Sequence, residues 1–334
     1  MKKLKISILG LGNIGSQLAK YILTNIQQIS YTYHVKLELH KVYVRDLTKT
    51  RDKELSNLCL TDNPYEAIHD ADIVIECMGG NGVELTRNLV LYSIKSHKSV
   101  IMSSKKCLAL HGKEIMATVK ENQTLFHYDA TVGGGIPISS VFETMGRCET
   151  VEKIYGICNG TSNFILDEME QKEVSYEIAL NKAIKKGYAE NDPSEDVNGY
   201  DALYKVIIMM GFGMNQWIDP QTITPKTISN LTQQDFLEAK RNHGVIKPVF
   251  FIEKTTDSIH CYIGPKVIPH NTLLSTVREN NNMIVVYGSE SHERAFYGQG
   301  AGKRPTASAM YDDLIKTIKC LLSASLSIYK STVV

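Results

Sequence analysis

The sequence predicts an α/β fold: a Rossmann-type doubly wound parallel sheet with a second α+β domain. Three observations carry this. A glycine-rich turn follows the first apolar run, strand-like and helix-like segments then alternate, and the pattern changes after VGGGIPI (132–138). Alternation of strands with helices of this length is the mark of a parallel sheet wound on both faces.

In chain order, KISILG is a short apolar run and NIGSQLAKYILTNI has helical spacing. KLELHKVYVRD alternates as a half-buried strand does, while DADIVIECMGG, KSVIMSS and LFHYDATVGGG are compact strand-like runs ending in small or polar residues. Beyond residue 138 the pattern changes: a helix-rich stretch from about residue 160 to about residue 215 precedes KPVFFIEK, SIHCYIGPKVI and NMIVVYG, three further strands. The tail PTASAMYDDLIKTIKCLLSASLSIY has the spacing of an amphipathic helix, opened by Pro305 and Thr306.

At 334 residues the chain exceeds the usual size of one core, so two domains are expected. A net charge of +1 offers no basic excess for phosphate backbones, which argues against a nucleic-acid partner. No apolar run has the length of a membrane span, so no membrane partner is expected. The lysine-led N-terminus passes straight into the glycine turn without a cleavage-site pattern, and is read as a strand. Seven scattered cysteines without a CxxC pair suit reduced thiols and a cytoplasmic location.

ILGLGNIGSQL places Gly10, Gly12 and Gly15 in a GxGxxG pattern between a strand and a helix. That context makes it a dinucleotide fingerprint: the glycines permit a tight turn and close approach, and the helix N-terminus meets the pyrophosphate. Cofactor choice is read after the second strand, in VYVRDLTKTR. Arg45 there suits a 2′-phosphate and favours NADP, with Lys49 and Arg51 nearby, while Asp46 keeps NAD possible.

GYAENDPSEDVNGYDALYK (187–205) sets five acids, Glu190, Asp192, Glu195, Asp196 and Asp201, against Lys205. It parses as a helix stop at Gly187, an acidic loop kept open by Pro193, and a second helix after Gly199. Asp201 and Lys205 are spaced i, i+4 on one helical face, either as a surface ion pair or as a functional pair, since the following VIIMMGFGM reads as buried. Acids there could hold an ammonium group, and a lysine entering a buried segment is suited to proton exchange.

Taken together, ILGLGNIG, ECMGG (76–80), SSKKCLA (103–109), ATVGGGIPI (130–138), GICNGTSNFIL (156–166), the acidic run and GQGAGKRPTASA (298–309) resemble the homoserine dehydrogenases over nearly the whole chain. The resemblance implies a dinucleotide-binding domain formed by residues 1–133 and 303–334, and a substrate-binding and dimerisation domain at 134–302. It implies reversible NAD(P)-dependent interconversion of L-homoserine and L-aspartate 4-semialdehyde, in a homodimer or homotetramer. On this reading Lys205 and Lys106 are catalytic, and Glu190, Asp201, Asp196, Gly160 and Thr161 bind substrate. Gly10, Gly12, Asn13, Ile14, Gly15, Arg45, Lys106 and Gly302 bind the cofactor. A monovalent cation, sodium, is implied at Asp129 and the carbonyls of Val132, Gly134 and Ile136.

Three departures from the family pattern stand out: Lys105 precedes Lys106 where asparagine is usual, Asp129 replaces a glutamate, and Gln299 replaces a proline. They motivate a second reading, a paralogue acting on a related amino alcohol or semialdehyde. A third, from another class, is a non-catalytic NAD(P)-binding sensor. The end of the chain at residue 334 predicts no threonine feedback through a regulatory domain.

Overall fold

The computed structural model describes residues 2–79, 82–145, 148–255 and 258–331, with side chains placed through residue 323. Gly80, the last residue of the ECMGG segment, lies outside the described residues. The chain divides into two compact units: Met1–Cys107 with His111–Thr131 and Lys303–Val334, and Leu108–Leu110 with Val132–Gly302.

The first unit runs β1 (Lys2–Leu9), α1 (Asn13–Tyr33), β2 (Val35–Tyr43), β3 (Leu60–Thr61), α2 (Pro64–His69), β4 (Ile73–Glu76), α3 (Val83–Lys95), β5 (Ser99–Met102), α4 (Lys105–Asn122) and β6 (Phe126–His127). The strands form one sheet in the order β3-β2-β1-β4-β5-β6, and every pairing is parallel. This is the predicted doubly wound sheet, and its order reverses between β1 and β4, where such folds bind ligands. The last four residues of β1 and all of β4 and β5 are buried, so neither face can be polar, which explains the unbroken apolar runs in the sequence.

Leu18, Ala19, Ile22 and Ile29 give α1 one buried stripe, and His34 closes the helix in the left-handed conformation at φ 51°. Cys77 and Cys107 are buried in this unit, and burial pushes both thiols up from the ordinary cysteine range. Cys59, Cys148 and Cys320 are exposed. Alkylation of the native protein at neutral pH should therefore label those three within minutes and spare Cys77 and Cys107 until denaturant is added. Peptide mass spectrometry reads the outcome, and rapid native labelling of Cys77 or Cys107 would contradict the packing.

The second unit continues with α5 (Ile138–Met145), β7 (Val151–Ile157), α6 (Gly160–Lys172), α7 (Tyr176–Lys185), α8 (Ser194–Val197), α9 (Tyr200–Gly213), α10 (Gln233–Arg241), β8 (Gly244–Lys254), β9 (Ile259–Pro269), β10 (Asn281–Gly288) and β11 (His292–Gln299). Its sheet is antiparallel throughout, in the order β11-β10-β7-β8-β9. Helices α6, α9 and α10 pack on β8. Phe164, Ile165, Leu166 and Met169 of α6 join Phe236 of α10 and Ile246 of β8 in one core. Each such side chain contributes about 1.5–3 kcal/mol when fully buried. Three strands escaped the sequence reading: β3, β7 and β11.

The tail forms α11 (Lys303–Ser331), which starts two residues before Pro305 and packs against α1. Ala307, Met310, Leu314 and Ile318 supply its core face. Asp313 is fully buried there and accepts the Asp129 N–H at 3.0 Å and the Lys316 ammonium at 3.1 Å. No described helix is long and apolar enough to cross a membrane.

Candidate active site

The second unit holds a polar cluster around the N-terminus of α6 and the start of α9. Helix α9 is buried nearly all round from Asp201 to Gly211, which its apolar run VIIMMG requires. Lys205 and Asp201 lie inside that burial, at 5% and 4% exposure, and meet at 2.7 Å. The alternative of a surface ion pair is thereby removed. Lys205 Nζ also donates to the Cys158 carbonyl at 2.7 Å. An ammonium has three N–H groups, and these two bonds leave one for a further acceptor.

The acidic segment is more ordered than an open loop. Gly187 stands just past α7 at φ +74°, and Gly199 at φ +81° is the N-cap of α9, both in the left-handed region that glycine enters at no cost. Between them the chain makes the one-turn helix α8, which presents Asp196. Asn159 Nδ2 donates to Asp196 Oδ1 and to Asp201 Oδ2, each at 2.7 Å. Its Oδ1 accepts the Ser162 N–H at 2.7 Å, capping α6. The structure thus brings Lys205, Asp201 and Asp196 together through an asparagine that the sequence reading passed over. Its position before a helix-like run was the available signal.

Gly160 opens α6, and a Cβ there would stand 2.5 Å from the Asn280 carbonyl oxygen, so only glycine fits. Thr161 donates its hydroxyl to the Tyr188 carbonyl at 2.6 Å, leaving the oxygen free to accept but not to donate. Glu190 is exposed and enters no hydrogen bond or ion pair among the described residues. Asp192 and Glu195 are exposed as well.

In the first unit, Gly10 adopts φ +102°, with its Cβ position 2.7 Å from the Cys77 carbonyl oxygen. A Cβ on Gly15 would come within 2.1 Å of the Gly10 carbonyl oxygen, whereas Gly12 has nothing within 4 Å. The turn is therefore closed on its inner side and open at Gly12, the N-cap of α1, where the first-turn N–H groups of Asn13, Ile14 and Gly15 have no side-chain cap. That is an anion cradle in need of an anion.

Glu76 ends β4 fully buried, and its carboxylate accepts from the Met78 N–H at 2.6 Å and from the Ser104 N–H and hydroxyl at 2.9 and 2.7 Å. It fixes the turn that starts α4 with Lys105 and Lys106, and brings an acid to the N-terminus of that helix, where a negative charge is favoured. Arg45 is exposed beyond β2 and has no partner among the described residues. Arg51, by contrast, folds back onto the carbonyls of Lys49 at 2.7 Å and Asp46 at 2.5 Å. The Thr48 hydroxyl and N–H hold the Asp46 carboxyl below the usual carboxylate range. Of the three cations near the strand tip, Arg51 is thus committed to its own loop.

Two family models together match most of the chain. A model described as homoserine dehydrogenase matches residues 137–315, and one described as homoserine dehydrogenase, NAD binding domain, matches residues 10–129. The chain belongs to the homoserine dehydrogenase family. Membership makes it an NAD(P)-dependent oxidoreductase. It is similar to homoserine dehydrogenase of Bacillus subtilis, with 35% identity over 96% of this chain and 74% of that protein. The crystal structure of a homoserine dehydrogenase from Thiobacillus denitrificans superposes with a TM-score of 0.90 at 32% identity, covering 97% of this chain and 75% of that one. A hyperthermophilic archaeal homoserine dehydrogenase in complex with NADPH shares the fold, with a TM-score of 0.76 at 22% identity over 94% and 97% of the two chains.

For a homoserine dehydrogenase, the residues singled out from sequence fall into two sets. Gly10, Gly12, Asn13, Ile14, Gly15, Arg45, Lys106 and Asp129 belong to the first unit. Lys205, Asp201, Asp196, Glu190, Gly160, Thr161, Val132, Gly134, Ile136 and Gly302 belong to the second.

Proposed function

We propose that the chain interconverts L-homoserine and L-aspartate 4-semialdehyde with Lys205 as the proton donor and acceptor at the substrate's C4 oxygen. The Lys205–Asp201–Asn159–Asp196 cluster, buried except at the half-buried Asp196, carries this reading. A cationic Lys205 with one uncommitted N–H polarises the aldehyde and donates to the oxygen as it gains an electron pair; deprotonated, it accepts the hydroxyl proton in the other direction. Burial keeps water from competing for that N–H. Asp196, Asp201 and Glu190 attract the substrate ammonium, while the Gly160 N–H, the Thr161 oxygen and the positive end of α6 orient the amino acid. Lys106 is the second proposed catalytic lysine.

A dinucleotide fits the first unit because the cradle at Gly12 is open while its neighbours are closed. When bound, the nicotinamide accepts or returns the hydride at C4. NADP is the proposed cofactor: Arg45 has no partner to give up, and an arginine fork matches a phosphate dianion. An NADPH complex in a related fold is consistent with this. Arg45→Ala should raise the KM for NADP by about tenfold or more while leaving that for NAD within about twofold. Equal effects on both dinucleotides would remove Arg45 as the selector.

For the proposed sodium, Asp129 offers a carboxylate and Val132, Gly134 and Ile136 offer carbonyls, the all-oxygen set that hard cations take. The proposed location is cytoplasmic, matching free cysteines throughout the described residues. The proposed assembly is a homodimer or homotetramer. Steady-state turnover of L-homoserine with each dinucleotide tests the activity, and light scattering tests the assembly.

A further inference from the structure

Asn159 satisfies its amide in an unusual way. One nitrogen supplies both its hydrogens to carboxylates that arrive from different elements, Asp196 of α8 and Asp201 of α9, each at 2.7 Å. The two acceptor oxygens therefore stand no further apart than twice that distance, in a partly buried site where water screens less than in bulk. Asp201 Oδ2 takes a second bond, from Lys205 Nζ at 2.7 Å, and Lys205 is tied in turn to the carbonyl of Cys158, the residue before Asn159. Ser162 adds a hydroxyl bond to the Asp196 carbonyl at 3.0 Å. Lys226, exposed at its surface, lines a small cavity with Asn159 and Asp196. The charged groups around the amide are thus Asp196, Asp201, Lys205 and Lys226.

We propose that Asn159 is a positioning residue for the reaction, a neutral double donor that holds the two acids together and so fixes Asp201 against Lys205. The inference rests on the role given to Lys205 above. A neutral donor is required there. An acceptor at the same place would face two carboxylates, and an apolar group would remove the bond that each acid takes from this amide.

A second role is visible, the N-cap of α6, and the two can be separated by substitution. Aspartate and serine cap helices as well as asparagine does, so a residue that only caps would tolerate both. Asn159→Asp keeps the cap and the shape but turns the double donor into a third carboxylate. On the bracing role it lowers kcat by about one to two orders of magnitude at neutral pH, since small displacements of a reacting group cost that much. Added negative charge also favours the ammonium form of Lys205, so the alkaline-rising limb of kcat for homoserine oxidation moves to higher pH. The KM for the dinucleotide stays unchanged. Asn159→Ser, which keeps the cap and one donor, falls between Asn159→Asp and the native enzyme.

Thermal unfolding gives a readout that needs no turnover. In Asn159→Asp the crowded acids hold protons more tightly when folded than when unfolded. Stability relative to the native protein is then lost as pH rises above the ordinary aspartate range, about 4. Native-like kcat, pH profile and pH-independent Tm difference in Asn159→Asp would overturn the proposal. Should the native protein fail to turn over homoserine, the reading of Lys205 falls while the pH-dependent Tm difference still decides whether Asn159 braces the acids.

Discussion

Lys205→Met lowers kcat for homoserine oxidation by about a thousandfold, in the range that a positioned acid or base supplies. The methionine keeps the length and apolar stem of the side chain and removes the only part that can exchange a proton. Lys205 is 5% exposed and bonded to Asp201 and Cys158, so no solvent lysine replaces it. Removing one partner of a buried pair also costs stability, up to about 3–5 kcal/mol, although the remaining bond from Asn159 to Asp201 reduces that here. A thermal melt and a dinucleotide titration on the same sample therefore accompany the kinetics. Loss of turnover with native dinucleotide affinity is the expected pattern, and a native kcat would remove Lys205 from the mechanism.

Gly15→Val abolishes measurable dinucleotide binding, a loss of at least about a hundredfold in affinity. A Cβ at this position would lie 2.1 Å from the Gly10 carbonyl oxygen and 3.3 Å from Cys77 Cβ, and the nearer of these is backbone that cannot rotate away. Relief requires α1 to move off the turn, carrying away the N–H groups that would face the pyrophosphate. Gly12→Ala is the informative companion. Nothing stands within 4 Å of its Cβ position, so the fold should melt at the native temperature while the cradle loses its space. Quenching or enhancement of NADPH fluorescence on binding measures both. Gly15→Val with a dissociation constant within about threefold of native would show that the turn is not the phosphate site.

Legibility in the sequence followed physical strength. Apolar runs report burial directly, so β1, β4 and β5 could be found, and the buried helix α9 likewise, while β2 was legible from its alternation. Strand β3 has two residues and β11 carries mostly exposed side chains, so neither leaves a pattern that differs from a loop. Gly10 and Gly15 were readable because backbone demands there admit no other residue, and Gly12 because its spacing completes the GxGxxG pattern. The acids and Lys205 were readable as chemistry, but their pairing was not: Asn159 joins acids 37 and 42 positions away, a separation that no local period encodes. Glu76 shows the same limit, since its partners Ser103 and Ser104 come from the end of the neighbouring strand. Arg51 was legible only as a cation near Arg45; its folding onto the Lys49 and Asp46 carbonyls is a loop conformation that no periodic pattern encodes.

The most direct test of the central claim is the near-ultraviolet absorbance of reduced nicotinamide, followed after mixing the purified protein with L-homoserine and NADP or NAD in parallel. A rise that depends on homoserine and on Lys205, larger with NADP, is the predicted result. A flat trace with both dinucleotides, from protein shown separately to bind them, would contradict it.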